Sequence, residues 1–564
     1  MCWGLRLRSF DGRILPVPPA GAPRAPVNCA TVPEPIESFD DSERAALAPH
    51  FTNLDRPVFA LVNLPETVKG ALFARLSRYG GSLRRLFLDE FAGDLEAGAA
   101  RAGTELEGER AAGLYERIFL GYGDDSVAQL GGAHIAFEWV SNVVTKVLQR
   151  GRLAAYLEQS TRYIPYDEPL PGGGYRYWRD RSLGPEYELT MDSLFQTYAE
   201  SLPRVERWAA ERFPRRADEP EDAHRRSVRA KALDLLRGLL PAASLSHVGV
   251  YASGQALEGL VLRLLASPLP EARALGRMAL EELKLVVPSF LARVERPERG
   301  GRWIAYLEER ECTADRIAAR LGLTKAQAGE ASAPAVHLLA VHGTEADLLA
   351  GLLFESAAVS EEEVRARVST LAPDERAELI AALCGERENR RHRPGRGLEA
   401  VSYRFEIVSD YGAFRDLQRH RLLTAQWQRL SPALGAAVPE ELAAAGVADA
   451  FRAGLERSQA EHDRLVGAGQ AELAPYALCL AYRIRYVLDL NAREAMHLIE
   501  LRSGREGHPS YRAVARELHA QIAVVHPAVA RAMTYLDRES EPRLERILAE
   551  IRTHERRTAA RPGA

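Results

Sequence analysis

Two stretches of this chain repeat each other at the distance of a whole domain. The first runs Phe137-Glu138-Trp139-Val140-Ser141 to Leu148-Gln149-Arg150-Gly151-Arg152-Leu153; the second runs Phe405-Glu406-Ile407-Val408-Ser409 to Leu417-Gln418-Arg419-His420-Arg421-Leu422. The Phe-Glu pairs lie 268 residues apart and the first arginines 269, which reads as parallel segments separated by a single-residue insertion. Self-similarity at that period implies two copies of one folding unit. A chain of 564 residues is too long for one core. Length alone suggests roughly three to four domains, and the repeat favours two large ones.

Several classes fall away on composition. Hydrophobic residues are 46% and charged residues 27%, ordinary for a soluble globular protein. The net charge of −4 supplies no bulk polycation, so a nucleic-acid partner is not expected, and any anion site must be assembled from local arginines. The five cysteines, Cys2, Cys29, Cys312, Cys384 and Cys479, are odd in number and lack Cys-x-x-Cys spacing. That pattern argues against structural zinc or a disulfide framework and for a reducing compartment. With no apolar run near ~18 residues and no signal-peptide pattern, no membrane partner is expected and the chain reads as cytoplasmic.

In order, residues 1–50 form a proline-rich leader around Leu15 to Pro23. Repeat one, 51–300, opens with a strand near Arg56 to Val62 and a helix from Thr67 to Leu76. Gly172-Gly173-Gly174 has no following Lys-Ser/Thr and reads as a surface turn. Leu257, Leu260, Val261 and Leu264 recur at helical spacing. A charged, alanine-rich linker is expected at 301–335, with repeat two over 336–540, opening on a strand at Val336 to Val341 and including a helix through Glu494 to Leu501. The tail, 541–564, is expected to fray. The fold class is α/β (α+β), each repeat a mostly antiparallel sheet packed with helices.

The chemistry lies around the triplets. Arg150-Gly151-Arg152 is followed by seven residues, then Ser160, Thr161, Arg162 and Tyr163. The segment resembles the signature of flavin-dependent thymidylate synthases, Arg-His-Arg, seven residues, Ser, x, Arg, Tyr, with Gly151 in place of the central His. The second copy has the intact triplet Arg419-His420-Arg421, but Arg429 stands at the Ser position and Ser431 at the following Arg. A second family pattern is an Arg, an Asn-x-Arg, and a late Arg. Repeat two supplies Asn491, Arg493 and Arg502 but has Pro475 for the early Arg; repeat one supplies Arg237 but has Ser253 and Leu264 for the others. Each copy is broken where the other is whole.

The resemblance implies FAD as cofactor, dUMP as substrate, and NADPH and methylenetetrahydrofolate as co-substrates. Carried over by position, Arg419, His420, Arg421, Asn491 and Arg493 are flavin-side. Arg150, Ser160, Arg162, Arg237 and Arg502 are dUMP-side, with Glu158 beside them; Arg502 addresses the uracil ring, and Ser160 and Arg502 take the catalytic places. Family members are about half this length and homotetrameric, so the resemblance implies a homodimer of the fusion forming a pseudo-tetramer.

The residues also carry plainer readings. On a helix Asn491 and Arg502 share a face about 16 Å apart, while Arg493 turns roughly 200° away. Asn491 also suits an N-cap, with Glu494 completing a capping box. Arg502 before Ser503-Gly504 suits a helix C-terminus, Ser160 a cap, His420 a structural imidazole, and Arg390 to Arg396 a solvated loop. Three functions follow: a tandem thymidylate synthase with composite sites, a flavin-dependent methylase or hydroxymethylase of another pyrimidine, or a non-catalytic nucleotide-binding or scaffold descendant.

Overall fold

The computed structural model describes residues 37–64, 66–76, 78–92, 129, 131–170, 173–324, 335–540 and 543–559. The proline-rich stretch Leu15 to Pro23 and the last five residues lie outside them. Each repeat is built on a four-stranded, wholly antiparallel sheet. The first has strands β1 (Val58–Ala60), β2 (Gly132–Ser141), β3 (Ala154–Glu158) and β4 (Leu245–Ser253) in the order β1-β2-β4-β3. The second has β5 (Ala335–His342), β6 (Ser402–Asp410), β7 (Leu423–Trp427) and β8 (Arg483–Asn491), in the equivalent order β5-β6-β8-β7. Strands were expected near Val58 and Val336 and occur there, and the leucine periodicity at Leu257 to Leu264 falls inside the helix Gly254–Leu265.

The register corrects one part of the repeat. Strands β4 and β8 correspond end to end, each running straight into a helix, at Gly254 and Ala492. Phe137 pairs with Val248, which makes its counterpart Ile407, the partner of Tyr486; Phe405 pairs with Leu488. The Phe-Glu likeness is therefore one of sequence only. The extra residue sits in the front repeat, in a bulge of β2 between Phe137 and Val140. There Trp139 takes a left-handed φ of 56°, rare for so large a residue, and its N–H is satisfied by His247 Nδ1 at 3.1 Å. Beyond the bulge the copies run in step: Ser141 Oγ accepts from Val144 N at 3.1 Å, as Asp410 Oδ1 accepts from Ala413 N at 2.8 Å.

The repeats pack about a pseudo-two-fold axis. Ala242 N donates to Leu478 O at 2.7 Å, and at the related place Leu480 N donates to Leu240 O at 2.8 Å. Ala243 N reaches Tyr476 O at 3.0 Å, and Ala481 N reaches Gly238 O at 2.9 Å. Reciprocal bonds of this kind are the mark of an isologous interface, here formed within one chain. The largest apolar core runs through the seam, joining Tyr187, Phe195 and Leu239 of the front repeat to Phe451, Tyr476 and Leu480 of the rear.

Two segments differ from their sequence reading. Within the expected linker, Arg302–Arg320 is a 19-residue helix, surface-laid and with no buried residue. Within the expected fraying tail, Ile547–Ala559 is a helix on the flank of Glu221–Leu236, tied by Arg226–Glu550 at 2.7 Å; just before it, Glu545 pairs with Lys231 at 2.9 Å. Among the described residues no helix is long and apolar enough to cross a membrane.

Candidate functional site

Two short helices bring the rear repeat's polar residues to the seam. Tyr411–Leu417, capped by Asp410, ends directly before Gln418-Arg419-His420-Arg421. Ala492–Ser503 is capped by Asn491, whose side chain accepts from Glu494 N at 2.9 Å. Glu494, His497, Leu501 and Arg502 fall on one helical face by their spacing. With Arg393, Arg419, His420, Arg421 and Leu422 they line a cavity of about 210 Å³. A second cavity of about 180 Å³ shares His420 and Arg421 with the first and adds Gln149, Arg150, Gly151 and Arg152 from the front repeat and Trp427 from the rear. The two broken triplets thus meet: Arg421 donates to Ala154 O, and Arg152 Nη2 to Thr424 Oγ1 at 2.8 Å.

His420 is held from both sides. Its Nδ1 lies 2.8 Å from Glu494 Oε1, and Arg502 Nε donates to its Nε2 at 3.0 Å. Burial, with Arg502 beside it, keeps the imidazole neutral at physiological pH, its pKa well below the usual value. Burial also pushes the Glu494 carboxyl up to about 7 against the pull of Arg393 and Arg493. The ligating atoms of His420, Glu494 and His497 lie within 4.8 Å of one another. Both ring nitrogens of His420 are already engaged, however, and the wall carries Arg393, Arg419, Arg421 and Arg502 against the single carboxylate of Glu494. An anion suits this surplus of positive charge better than a cation.

Behind the cavity the arginines share buried carboxylates. Asp416 pairs with Arg419, with Arg237 at 3.5 Å and with Arg502 at 3.8 Å. Burial alone would raise its pKa, but these cations hold it far below the carboxylate range. Arg162 grips Asp234 with both prongs of its fork, at 2.7 and 2.5 Å, and donates to Tyr511 Oη at 3.0 Å. Arg162 and Arg502 stand 5.8 and 5.6 Å from the centroid of that tyrosine ring.

The expected site residues therefore divide. Arg150, Arg419, His420, Arg421 and Arg502 line the two cavities. Arg162 and Arg237 stand behind them, bound to Asp234 and Asp416. Ser160 lies in a turn, its hydroxyl accepting from Arg162 N at 3.3 Å, and does not cap a helix. Glu158 is buried among Arg415 at 2.5 Å, Gln149 at 2.9 Å and Lys146 at 3.5 Å, so it braces the seam without reaching either cavity. Asn491 is spent on its helix cap. Arg493 is tied to Pro394 O at 3.0 Å and Glu399 at 3.4 Å, where it anchors the loop that carries Arg393 to the cavity. Arg429, in the rear Ser slot, joins a surface network with Glu472 at 2.7 Å and Asp315 at 3.1 Å.

Sequence reading overlooked His497, Asp416 and Tyr511, and assigned Glu494 to a capping box that does not form. The Glu494-x-x-His497 spacing on one helix face was the available signal.

The pseudo-symmetric position in the front repeat is closed. A Cβ on Gly151 would meet Tyr156 Oη at 2.7 Å and Arg263 Nη2 at 3.1 Å. The places of Glu494, His497 and Arg502 are taken by Ala256, Gly259 and Leu264.

Two antiparallel sheets related by a pseudo-two-fold axis, with an arginine-walled cleft at their junction, define a duplicated α+β protein. The family model described as thymidylate synthase complementing protein matches residues 85–289 and 352–528, and the chain belongs to that family. It is 37% identical over 546 residues to a UPF0159 protein of Chlamydia muridarum (strain MoPn / Nigg), covering 91% of this chain and 98% of the relative. To a UPF0159 protein of Thermoplasma acidophilum it is 30% identical over 515 residues, covering 86% and 98%. Among solved structures, a UMP/dUMP methylase, PolB, from Streptomyces cacaoi, bound with 5-Br dUMP, aligns at 20% identity and a TM-score of 0.29, over 37% of this chain and 97% of that one.

Proposed function

We propose that the protein is a flavin-dependent thymidylate synthase, converting dUMP to dTMP with methylenetetrahydrofolate and NADPH, and that each chain carries one composite site at the repeat seam. The observation that carries this reading is the shared wall of the two cavities. His420 and Arg421 of the rear triplet face Glu494 and Arg502 on one side and Arg150 and Arg152 of the front triplet on the other.

The residues present fit FAD. Arg393, Arg419 and Arg421 offer the planar, permanently charged forks that hold pyrophosphate oxygens. One buried donor of the cavity wall, Arg419 Nε, finds no hydrogen-bond partner among the described residues, as expected of a group arranged for an anionic ligand. Reduced FAD, when bound, supplies the hydride that completes the methyl group at uracil C5. The chain's own part is orientation and charge. Arg150 binds the nucleotide beside Trp427, over whose ring it stands 5.1 Å from the centroid. Arg502 hydrogen-bonds the base and stabilises the negative charge that develops on it, as a fixed donor in a low-dielectric site does. No side chain is required as a covalent nucleophile. A homodimer of the chain would reproduce the four-repeat assembly that the family resemblance implies.

The test is direct. The purified protein should be yellow, with one FAD per chain, and should oxidise reduced flavin only when dUMP and methylenetetrahydrofolate are both present. Protein that stays colourless in excess FAD overturns the reading.

A second reading, a related reaction on another pyrimidine nucleotide or binding without turnover, is favoured by the internal pairing of Arg162 and Arg237, since cations satisfied by Asp234 and Asp416 grip a phosphate less readily. Products from a panel of pyrimidine nucleotides, read by mass spectrometry, separate the two.

A further inference from the structure

The contacts around His420 have a direction. Arg502 Nε bears a hydrogen and no lone pair, so the His420 Nε2 that it approaches at 3.0 Å is the acceptor. A neutral imidazole with a free lone pair on Nε2 carries its proton on Nδ1, and that proton is directed at Glu494 Oε1, which lies 2.8 Å from the nitrogen. An ionised carboxylate can only accept. Glu494 is free to do so because Asn491 alone caps the helix; in a capping box the glutamate would turn back to the Asn491 N–H. Arg502 is then held at two points, Nε by His420 and Nη1 by Asp416 at 3.8 Å, which sets the plane of its fork. The front repeat, with Ala256, Gly151 and Leu264 at these three places, has lost all members of the chain together.

We infer that Glu494 is a positioning residue: its carboxylate selects the Nδ1–H tautomer of His420, and the tautomer holds Arg502 in the orientation in which it meets the nucleotide base. The last clause rests on the function proposed above; the link from Glu494 through His420 to Arg502 does not.

The test uses full-length protein labelled with ¹⁵N-histidine and free of ligand, with the His420 signals identified by their loss in His420→Gln. Wild type should show a protonated Nδ1 and a bare Nε2. Glu494→Leu should lose that preference, and Glu494→Gln, whose Oε1 still accepts, should keep it. In a second arm, dUMP affinity measured by calorimetry should fall about tenfold or more in Glu494→Leu and recover in Glu494→Gln, a rescue that mere packing would not produce. A wild-type Nε2–H tautomer, or one unchanged in Glu494→Leu, overturns the inference; should Glu494→Leu not fold, Glu494→Ala is read in its place. A tautomer that follows Glu494 in a protein that binds no dUMP upholds the positioning link and removes the nucleotide assignment instead.

Discussion

Tyr476 of the rear repeat donates its phenol to the Glu271 carboxylate of the front repeat at 2.7 Å, wholly inside the seam. The same carboxylate accepts Ser141 N at 2.7 Å and Ser141 Oγ at 2.6 Å. Since Ser141 Oγ also accepts from Val144 N, the first residue of the helix Val144–Leu148 that leads to the front triplet, the pair couples the junction of the repeats to the placement of Arg150 and Arg152.

Tyr476→Phe removes one of three donors from a buried carboxylate. The expected cost is about 1–3 kcal/mol. Urea unfolding should register it as a lower midpoint, and a double-mutant cycle with Glu271→Gln should be non-additive because both changes act on one bond.

Glu271 also sets a pH dependence. Burial pushes its carboxyl up to about 7, from an ordinary 4.5, in opposition to the Ser141 and Tyr476 hydrogen bonds. Between those values the folded chain binds more protons than the unfolded one, so this contribution to stability is whole below pH 4.5 and is lost as the pH rises to about 7. Glu271→Gln should flatten the stability curve over that window by about 3 kcal/mol, read from denaturation midpoints at a series of pH values.

Restoring the family's histidine at Gly151 requires the Tyr156 phenol and the tip of Arg263 to move. Tyr156 Oη, which donates to Gly151 O at 3.1 Å, and Arg263 occupy the space. Gly151→Ala should cost about 1–3 kcal/mol by overpacking. Gly151→His should leave the flavin stoichiometry, measured by absorbance, at one per chain, because Ala256, Gly259 and Leu264 offer no partners for the ring.

Activity should rise with pH through about 7, where the Glu494 carboxyl ionises. Only the carboxylate form is a pure acceptor for His420 Nδ1–H. The kcat/KM for dUMP should therefore increase from acid to neutral pH in wild type, and the step at that pH should vanish in Glu494→Gln, whose acceptor does not titrate.

Much of the architecture was legible in local pattern. The duplication, the opening strands at Val58 and Val336, the helix through Leu257 to Leu264, the cap at Asn491 and the helix end at Arg502 all follow from periodicity, capping chemistry and self-similarity. The tail helix was missed because its stability comes from contacts such as Arg226–Glu550, whose partners are distant in the chain. The Phe137–Phe405 equivalence failed for a related reason: a bulge changes register without leaving a composition signal.

By itself the sequence determined that there are two copies and that each has lost what the other kept, since those facts lie in residue identity and spacing. Only the tertiary structure decided that the worn halves meet, with Arg415 reaching Glu158 at 2.5 Å and Arg152 reaching Thr424 at 2.8 Å across the seam. It alone decided that Glu494 serves His420 in place of a capping box, and that Gly151 is walled in by Tyr156 and Arg263. Such outcomes depend on which buried charges and donors find partners hundreds of residues away, and desolvation makes those pairings binding without writing them into any local stretch of chain.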